Sequence, residues 1–518
     1  MTTPHGAAGP DGVVNLSSVT SDETLPVDDL NEQMRFRRQK REALLHSGTE
    51  PYPVKPARTH SLAEVREQFA PLEPGESSGQ QAAVVGRVVF IRNSGKLCFA
   101  TLQEGDGTRL QVMLSLAEVG GDSLADWKSL VDLGDHVSVH GEVISSRRGE
   151  LSVMAHTWAM ASKALRPLPT LHAGVNEETR VRQRYVDLMV REEARQMVRT
   201  RAAITRTLRE TLHRRDYIEV ETPVLQLVHG GATARPFETH LNAFDQKMTL
   251  RIALELYLKR AVVGGVDRVY EIGRIFRNEG VDSTHSPEFT MLESYEAYAD
   301  QFVMAERMQE MILACADMLG SRTLETAQGT IELDGEWAWL GVYPGLSAVV
   351  DHRVTPETGA AELRPIAERH GVALDPSWDA EKIVLELFSE LVEPTLIQPT
   401  FVYDYPPSAQ PLARPHRDDP RLIEAWDLVI GGMERGTAFS ELIDPVIQRE
   451  RLTLQSRRSA AGDDEAMQLD EDFLRALEYG APPMGGIGLG IDRLVMLFTD
   501  VGIRESILFP ILRPEAGQ

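Results

Sequence analysis

The sequence predicts an α+β protein in which a small five-stranded β-barrel precedes a larger domain of mixed helix and strand. Three observations carry this. Five short runs of alternating apolar residues crowd into 82–160. Beyond residue 180 the spacing switches repeatedly between helical and extended periods. Within that second region stand two segments, one rich in arginine and acid and one rich in glycine, whose residue types suit a nucleotide better than a core.

With 518 residues and 42% hydrophobic side chains, the chain has room for two or three domains with cores of their own. No apolar run is long enough to cross a bilayer and the first 29 residues are polar and acidic, so no membrane partner is expected and the expected location is cytoplasmic. Cys98 and Cys315 are too few for a disulfide framework or a cysteine metal site, and their apolar settings suit buried structural thiols. A formal net charge of -24 excludes binding nucleic acid through the whole surface, so any such site must be a local basic patch. Arg35, Arg37, Arg38, Lys40 and Arg41 form one candidate and Arg87, Arg92, Lys96 and Arg109 another; a solvated basic face is the other reading of each.

Taken in order, residues 1–29 lack apolar periodicity and read as a disordered tail. Residues 30–75 form a basic helical extension, with a helix over 29–45 that carries Met34, Phe36 and Leu44 and is stopped by Gly48, Pro51 and Pro53. The strands over 82–92, 97–103, 109–115, 136–146 and 150–160, with one helical stretch near 124–130, fit an oligonucleotide-binding (OB) type barrel over 76–165, or else a generic small β domain. Pro167 and Pro169 mark a linker over 166–180. The remaining domain, 181–518, opens with a helix over 193–214 and a strand over 217–222 that ends at Pro223. A helix over 302–319 carries Met304, Met308 and Met311, a stripe that reads as core filling, and helices at about 350–393 read as an insertion.

The chemistry concentrates in Arg274-Ile275-Phe276-Arg277-Asn278-Glu279 and Thr284-His285-Ser286-Pro287-Glu288-Phe289. Two strands joined by a polar turn there bring together an arginine, an acid and an aromatic, which can hold an anion, an amine and a flat ring: the parts of ATP. Far downstream, Gly486-Ile487-Gly488-Leu489-Gly490-Ile491-Asp492-Arg493 lets backbone approach a ligand while Arg493 clamps a phosphate. Arg277 suits an α-phosphate and a carboxylate, Phe289 one face of adenine, Arg493 its other face and the γ-phosphate, and His285 the phosphate tail. Asp427 and Glu434 offer the oxygen ligands that Mg2+ requires; their spacing opposes them on a straight strand, so a bulge or turn at Gly431-Gly432 is needed for convergence, and an exposed acid with a salt bridge is the other reading.

These two segments resemble motifs 2 and 3 of the class II aminoacyl-tRNA synthetases. From about 31 to 514 the chain is similar to the bacterial lysyl-tRNA synthetases of that class, most specifically in Gly230-Gly231-Ala232-Thr233-Ala234-Arg235-Pro236-Phe237, in Arg251-Ile252-Ala253-Leu254-Glu255-Leu256-Tyr257-Leu258-Lys259-Arg260 and in Phe439-Ser440-Glu441-Leu442. The resemblance implies an anticodon-binding OB barrel and an antiparallel-sheet catalytic domain that activates L-lysine with ATP and Mg2+ and transfers it to tRNA(Lys). It implies catalytic roles for Arg277 and Arg493, and ATP contacts from these two with Glu279, His285, Phe289 and Gly490. The lysine α-amino group would meet Glu255 and Gly231, its carboxylate Arg277, and its ε-ammonium Glu441 and Tyr295 with Glu293 nearby; Thr437 and Phe439 complete the pocket. Asp427 and Glu434 would hold the metal, while Phe99 and Gln103 would stack on and hydrogen-bond an anticodon base. Motif 1, from Tyr217 to Pro223, implies a homodimer. The chain departs from the family at Leu254, Asp427 and Thr437, where proline, glutamate and asparagine are more usual. Two other readings are a lysine-activating paralogue with a different acceptor and a non-catalytic tRNA-binding regulator; Arg277, Glu279, Phe289 and Arg493 speak against the latter.

Overall fold

The computed structural model describes residues 31–69, 72–169, 176–460, 462–463 and 465–514; the tail predicted at 1–29 lies outside them. Two compact units result, Met1–Val175 and Asn176–Gln518.

In the first unit the alternating runs form β1 (Ser77–Ser94), β2 (Leu97–Gln103), β3 (Arg109–Ser115), β4 (His136–Ser145) and β5 (Leu151–Ser162), closed as a barrel in the order β1-β2-β3-β5-β4. β3 and β5 pair in parallel and the other neighbours antiparallel. Inward residues such as Val84, Leu102, Val112, Val139 and Val153 are wholly buried. Gly141 sits at a register shift where a side chain would collide with the Met154 carbonyl, so β4 can cross β5 closely only with glycine there. α1 (Glu32–His46), capped by Asn31, precedes α2 (Leu62–Phe69), a helix that the spacing did not reveal; α3 (Leu116–Val119) and α4 (Gly121–Leu130) follow β3, and α4 buries Trp127 in the barrel core. The first basic cluster is partly structural. Arg37 is buried and donates to the carbonyls of Leu133 at 2.8 Å and Ala164 at 3.2 Å, and Lys40 pairs with Asp132 at 2.6 Å, so these cations fasten α1 to its unit. Arg87 donates to the Gly134 carbonyl at 3.0 Å.

The second unit begins with α5 (Glu177–Arg182), which corrects the end of the predicted linker, then α6 (Arg184–Val190) and α7 (Glu192–His213). Next come β6 (Ile218–Glu219) and a small sheet of β7 (Leu225–Gln226), β8 (Glu238–Leu241) and β9 (Gln246–Leu250). α8 (Glu255–Val263), β10 (Arg268–Phe276), β11 (Glu288–Ala297) and α9 (Gln301–Leu319) follow, with the hairpin β12 (Thr323–Thr326) and β13 (Gly329–Glu332). β14 (Ala338–Gly341), the helices α10 (Val342–Val350), α11 (Ala360–His370) and α12 (Ala380–Leu391), and β15 (Thr400–Tyr405) lead to β16 (Ile423–Val429) and β17 (Glu434–Ser440). α13 (Pro445–Ala460), α14 (Glu471–Glu478), β18 (Met484–Gly490), α15 (Ile491–Thr499) and α16 (Ile503–Ser506) complete it.

The main sheet runs β14-β15-β16-β17-β18-β11-β10-β6 and is antiparallel except at its two outer pairs. α7 buries Ile204, Leu208 and Leu212 at four-residue spacing against α9, whose Met304, Met308 and Met311 are core as the stripe implied. Asp300 caps α9 by accepting from the amides of Phe302 and Val303, and Gly320 ends it at φ +88°. Both cysteines are buried and unbridged. Two expectations change. Motif 1 keeps only a two-residue strand, because the Tyr217 amide bonds back to the Leu212 carbonyl of α7 at 3.2 Å and the Thr222 amide turns to the Glu271 carboxylate at 3.0 Å instead of continuing the ladder. The helical insertion begins earlier, at α10, since its Val342 and Leu346 share one core with Leu363, Ile383 and Leu387.

Candidate functional site

The residues expected to meet ATP, lysine and metal, far apart in sequence, all line one cavity of about 370 Å³ in the second unit. Its floor is made by strand pairing. β10 and β11 run in the register Phe276↔Glu288 with the loop 277–287 between them, and β18 lies beside β11 so that Gly486, Gly488 and Gly490 stand opposite Tyr295, Glu293 and Met291. The glycine spacing is now explained: a side chain on Gly486 would collide with Glu441 Oε1 and the Tyr295 ring. Gly231 has φ +88° and a side chain there would press on Ala253 and Glu255 at about 3 Å, so the backbone can adopt this turn only as glycine.

At one end of the cavity, Arg277 leaves β10 with Nε donating to the Ile252 carbonyl at 3.3 Å and its guanidinium 5.3 Å from the centre of the Phe289 ring. Arg277 thus covers part of the Phe289 ring that is expected to face adenine. Glu279 is exposed on the following loop. Asp282 organises the turn by accepting the amides of Thr284 and His285, both at 2.7 Å, which holds its carboxyl well below the usual range. Arg493, in the first turn of α15 after Gly490, donates to the Glu434 carbonyl and carboxylate, each at 3.2 Å, and its Nη2 lies 3.2 Å from His285 Nε2.

Asp427 and Glu434 are not on one strand but on β16 and β17, joined by a hairpin whose Gly431 and Gly432 adopt φ +66° and +65°. The feature expected at Gly431-Gly432 is thus a turn, and a register shift at Leu428/Val429, just before it, adds to the bend. Burial, with Glu434 close by, pushes the Asp427 carboxyl up to about 7 against hydrogen bonds from Thr437 and Tyr405. Burial and Glu434 likewise push Glu393 up. Oxygen donors with surplus negative charge suit a hard divalent cation. Among the described residues no three His, Cys, Asp or Glu side chains form a metal cage. Asp427 and Glu434 could hold a hard divalent cation such as Mg2+, which takes one or two carboxylates and draws its other oxygen ligands from elsewhere.

At the other end the acids Glu255, Glu293 and Glu441 and the phenol of Tyr295 are each 3 or 4% exposed, at a depth where carboxylates are rare without partners. Glu293 accepts the Leu254 amide at 2.9 Å and the Tyr295 hydroxyl at 3.2 Å; burial and then the charge of Glu255 push it up to about 7. Burial pushes Glu441 up to about 8, with Lys259 opposing. Phe439 is buried, and Thr437, half-buried, donates to the Trp426 carbonyl at 3.3 Å. Sequence reasoning missed Lys259, which pairs with Glu255 and lies 2.5 Å from Glu441. The signal was a Glu-x-x-x-Lys pair in a stretch too apolar to be exposed. It also missed Arg435, buried, which donates to the Arg493 carbonyl at 2.9 Å and so steadies the clamp.

In the barrel, Phe99 and Gln103 share one face of β2 with Thr101. Phe99 is half-buried, whereas Gln103 is buried and its Oε1 accepts from Arg109 Nε at 2.9 Å, so a base would compete with Arg109 for it. Replacing Phe99 by alanine is expected to raise the KM for tRNA by about 1 to 3 kcal/mol, the value of one stacked base, and to leave amino-acid-dependent pyrophosphate exchange unchanged. Charging kinetics beside exchange kinetics check this.

A five-stranded barrel of nucleic-acid-binding type, together with an antiparallel sheet that presents two arginines and a glycine-lined floor, defines a class II synthetase. Residues 176–513 match the model of tRNA synthetases class II (D, K and N), and 82–160 that of the OB-fold nucleic acid binding domain. The chain belongs to the class II tRNA synthetases of the D, K and N group. Within it, the chain is 58% identical over 490 residues to a lysine–tRNA ligase of Mycolicibacterium gilvum, covering 94% of this chain and 98% of that protein. It is 56% identical, with the same coverage, to a lysine–tRNA ligase of Kineococcus radiotolerans. It is also 44% identical to the lysylphosphatidylglycerol biosynthesis bifunctional protein LysX of Mycolicibacterium vanbaalenii, covering 99% of this chain but 48% of that longer protein.

Proposed function

We propose that this protein is a lysine–tRNA ligase, which activates L-lysine with ATP to lysyl-adenylate and pyrophosphate and then transfers lysine to the 3′ end of tRNA(Lys). The observation that carries this reading is the cluster of three buried carboxylates beside an arginine: a dication with one carboxylate is the amino acid that such a pocket neutralises. Near-full-length identity to two lysine–tRNA ligases supports it over a paralogue with another acceptor.

In this reading Arg277 binds the substrate carboxylate and the α-phosphate together, so that a carboxylate oxygen is held in line to attack phosphorus as pyrophosphate leaves. Arg493 and His285 take the β- and γ-phosphates, and Phe289, capped in part by Arg277, bounds the adenine site. Glu255 and the Gly231 backbone orient the α-ammonium, and Glu441 with Tyr295 receives the ε-ammonium. Asp427 and Glu434 would hold Mg2+, which when bound offsets charge on the phosphates. Arg493 would then release Glu434 and move to phosphate oxygen. The tRNA hydroxyl completes the reaction by attacking the activated carbonyl, with AMP as leaving group.

A homodimer forms part of the proposal. Ile218, Leu225 and Leu227, in and just after motif 1, are 55%, 43% and 64% exposed, an apolar strip that suits a second copy. A cytoplasmic location follows from the proposed tRNA substrate; among the described residues no helix is long and apolar enough to cross a membrane.

The test is pyrophosphate exchange with each amino acid in turn, followed by charging of total tRNA. Exchange is expected with lysine and to require Mg2+. Equal exchange with aspartate or asparagine overturns the assignment.

A further inference from the structure

Beside two of the pocket's acids lies a buried charged group to which the proposed reaction gives no part. Lys259, in the second turn of α8, is 1% exposed. Its ammonium pairs with Glu255, one turn back on the same helix, and lies 2.5 Å from Glu441 Oε2, with the Tyr295 ring centre 5.9 Å away. Neither Glu441 oxygen makes a hydrogen bond of good geometry, so the contact with Lys259 is ionic and not directional. Leu258 and Val262, one helical turn apart beside it, are buried as well. Burial alone would lower the pKa of Lys259, but Glu255 and Glu441 outweigh it and the net direction is up, which keeps the side chain charged.

We propose that Lys259 is a resident counter-ion that sets how many ammonium groups this pocket accepts, an inference that rests on the lysine-activating reading. With a substrate cation bound to hold them ionised, Glu255, Glu293 and Glu441 carry three negative charges against one positive charge on Lys259. The pocket is thus two short of neutrality, the number that the α- and ε-ammonium groups of lysine supply while Arg277 meets the carboxylate. Lys259 acts through Glu255 and Glu441, which the substrate would touch, and is a positioning residue rather than a catalytic one. The charged and titratable groups facing it are Glu255 from α8, Glu441 after β17, and Glu293 and Tyr295 from β11, with Arg277 at the end of β10; β18 presents glycine there.

Lys259→Met preserves the volume and removes the charge, leaving a proton on one carboxyl as the only way to neutralise the third acid. Because Lys259 is the cation beside Glu255 and Glu441, that proton falls on one of these two, the carboxyls that the ammonium groups of lysine are to meet, and must leave it before lysine binds. The KM for lysine in exchange is expected to rise about tenfold at pH 7, with its pH profile displaced upward by about one unit, while the KM for ATP stays within about twofold. Lys259→Arg, which keeps the charge, is expected to restore most of the wild-type profile. Stability has a defined sign: the variant binds an extra proton when folded, so its melting temperature should fall further below wild type at pH 8.5 than at pH 6. A lysine KM at or below the wild-type value at pH 7, a rise that is equal at every pH, or a melting deficit as large at pH 6 as at pH 8.5 overturns the proposal. Failure of the underlying function is separable. It appears as absent lysine-dependent exchange in the wild-type protein, whereas wild-type exchange with an undisplaced variant profile removes the counter-ion alone.

Discussion

Alanine in place of Arg277 is expected to cost adenylate formation about 3 kcal/mol or more, a loss on the order of a hundredfold, because a preorganised charge donor is removed from the place where two anions must meet. The structure gives Arg277 little else to do. Its guanidinium makes one long bond to the Ile252 carbonyl and rests on Phe289. Burial pulls its pKa down while Glu279 and Glu293 oppose, which is the environment of a cation waiting for an anion more than of a structural ion pair. The variant should therefore melt close to wild type while lysine-dependent exchange collapses. Near-normal exchange in a well-folded Arg277→Ala protein would refute its role.

Glu441→Gln is expected to weaken lysine activation by about 2 to 5 kcal/mol, the usual cost of truncating one side of a buried charge pair, with ATP binding nearly unchanged. The side chain is 1% exposed and faces Lys259, so a purely structural pairing predicts a different outcome: lower thermal stability with an unchanged preference for lysine over norleucine. The raised pKa of Glu441 argues for function. A carboxylate that burial drives up to about 8 gains little from folding in its charged form, and an ammonium arriving from the substrate repays that cost. Exchange with lysine and with norleucine on both proteins, beside melting curves, separates the two outcomes.

Legibility in the sequence followed the range of the forces involved. The barrel strands were readable because alternation is local, and four of the five observed strands begin and end within two residues of their apolar runs; β1 alone extends further, starting at Ser77. Tyr217 to Pro223 alternates just as well, yet only Ile218–Glu219 pairs, because the end of α7 takes the Tyr217 amide and Glu271, far along the chain, takes the amide and hydroxyl of Thr222. The basic run in α1 shows the same limit: spacing made it a cluster, and carbonyls at Leu133 and Ala164 made Arg37 part of the core.

For the site, residue type and spacing pointed Arg277, Phe289, Arg493 and the glycines of β18 towards a nucleotide, since few structural needs put those residues in those patterns. The acids Glu255, Glu293 and Glu441 were named from resemblance alone. Only the tertiary structure decided that they share one buried volume, that Glu434 is held by Arg493, and that Lys259 pairs with two of the three acids. The reason is physical: a charge's chemistry is written in its residue type, but whether it is buried, and beside which opposite charge, depends on strands and helices brought together from distant parts of the chain.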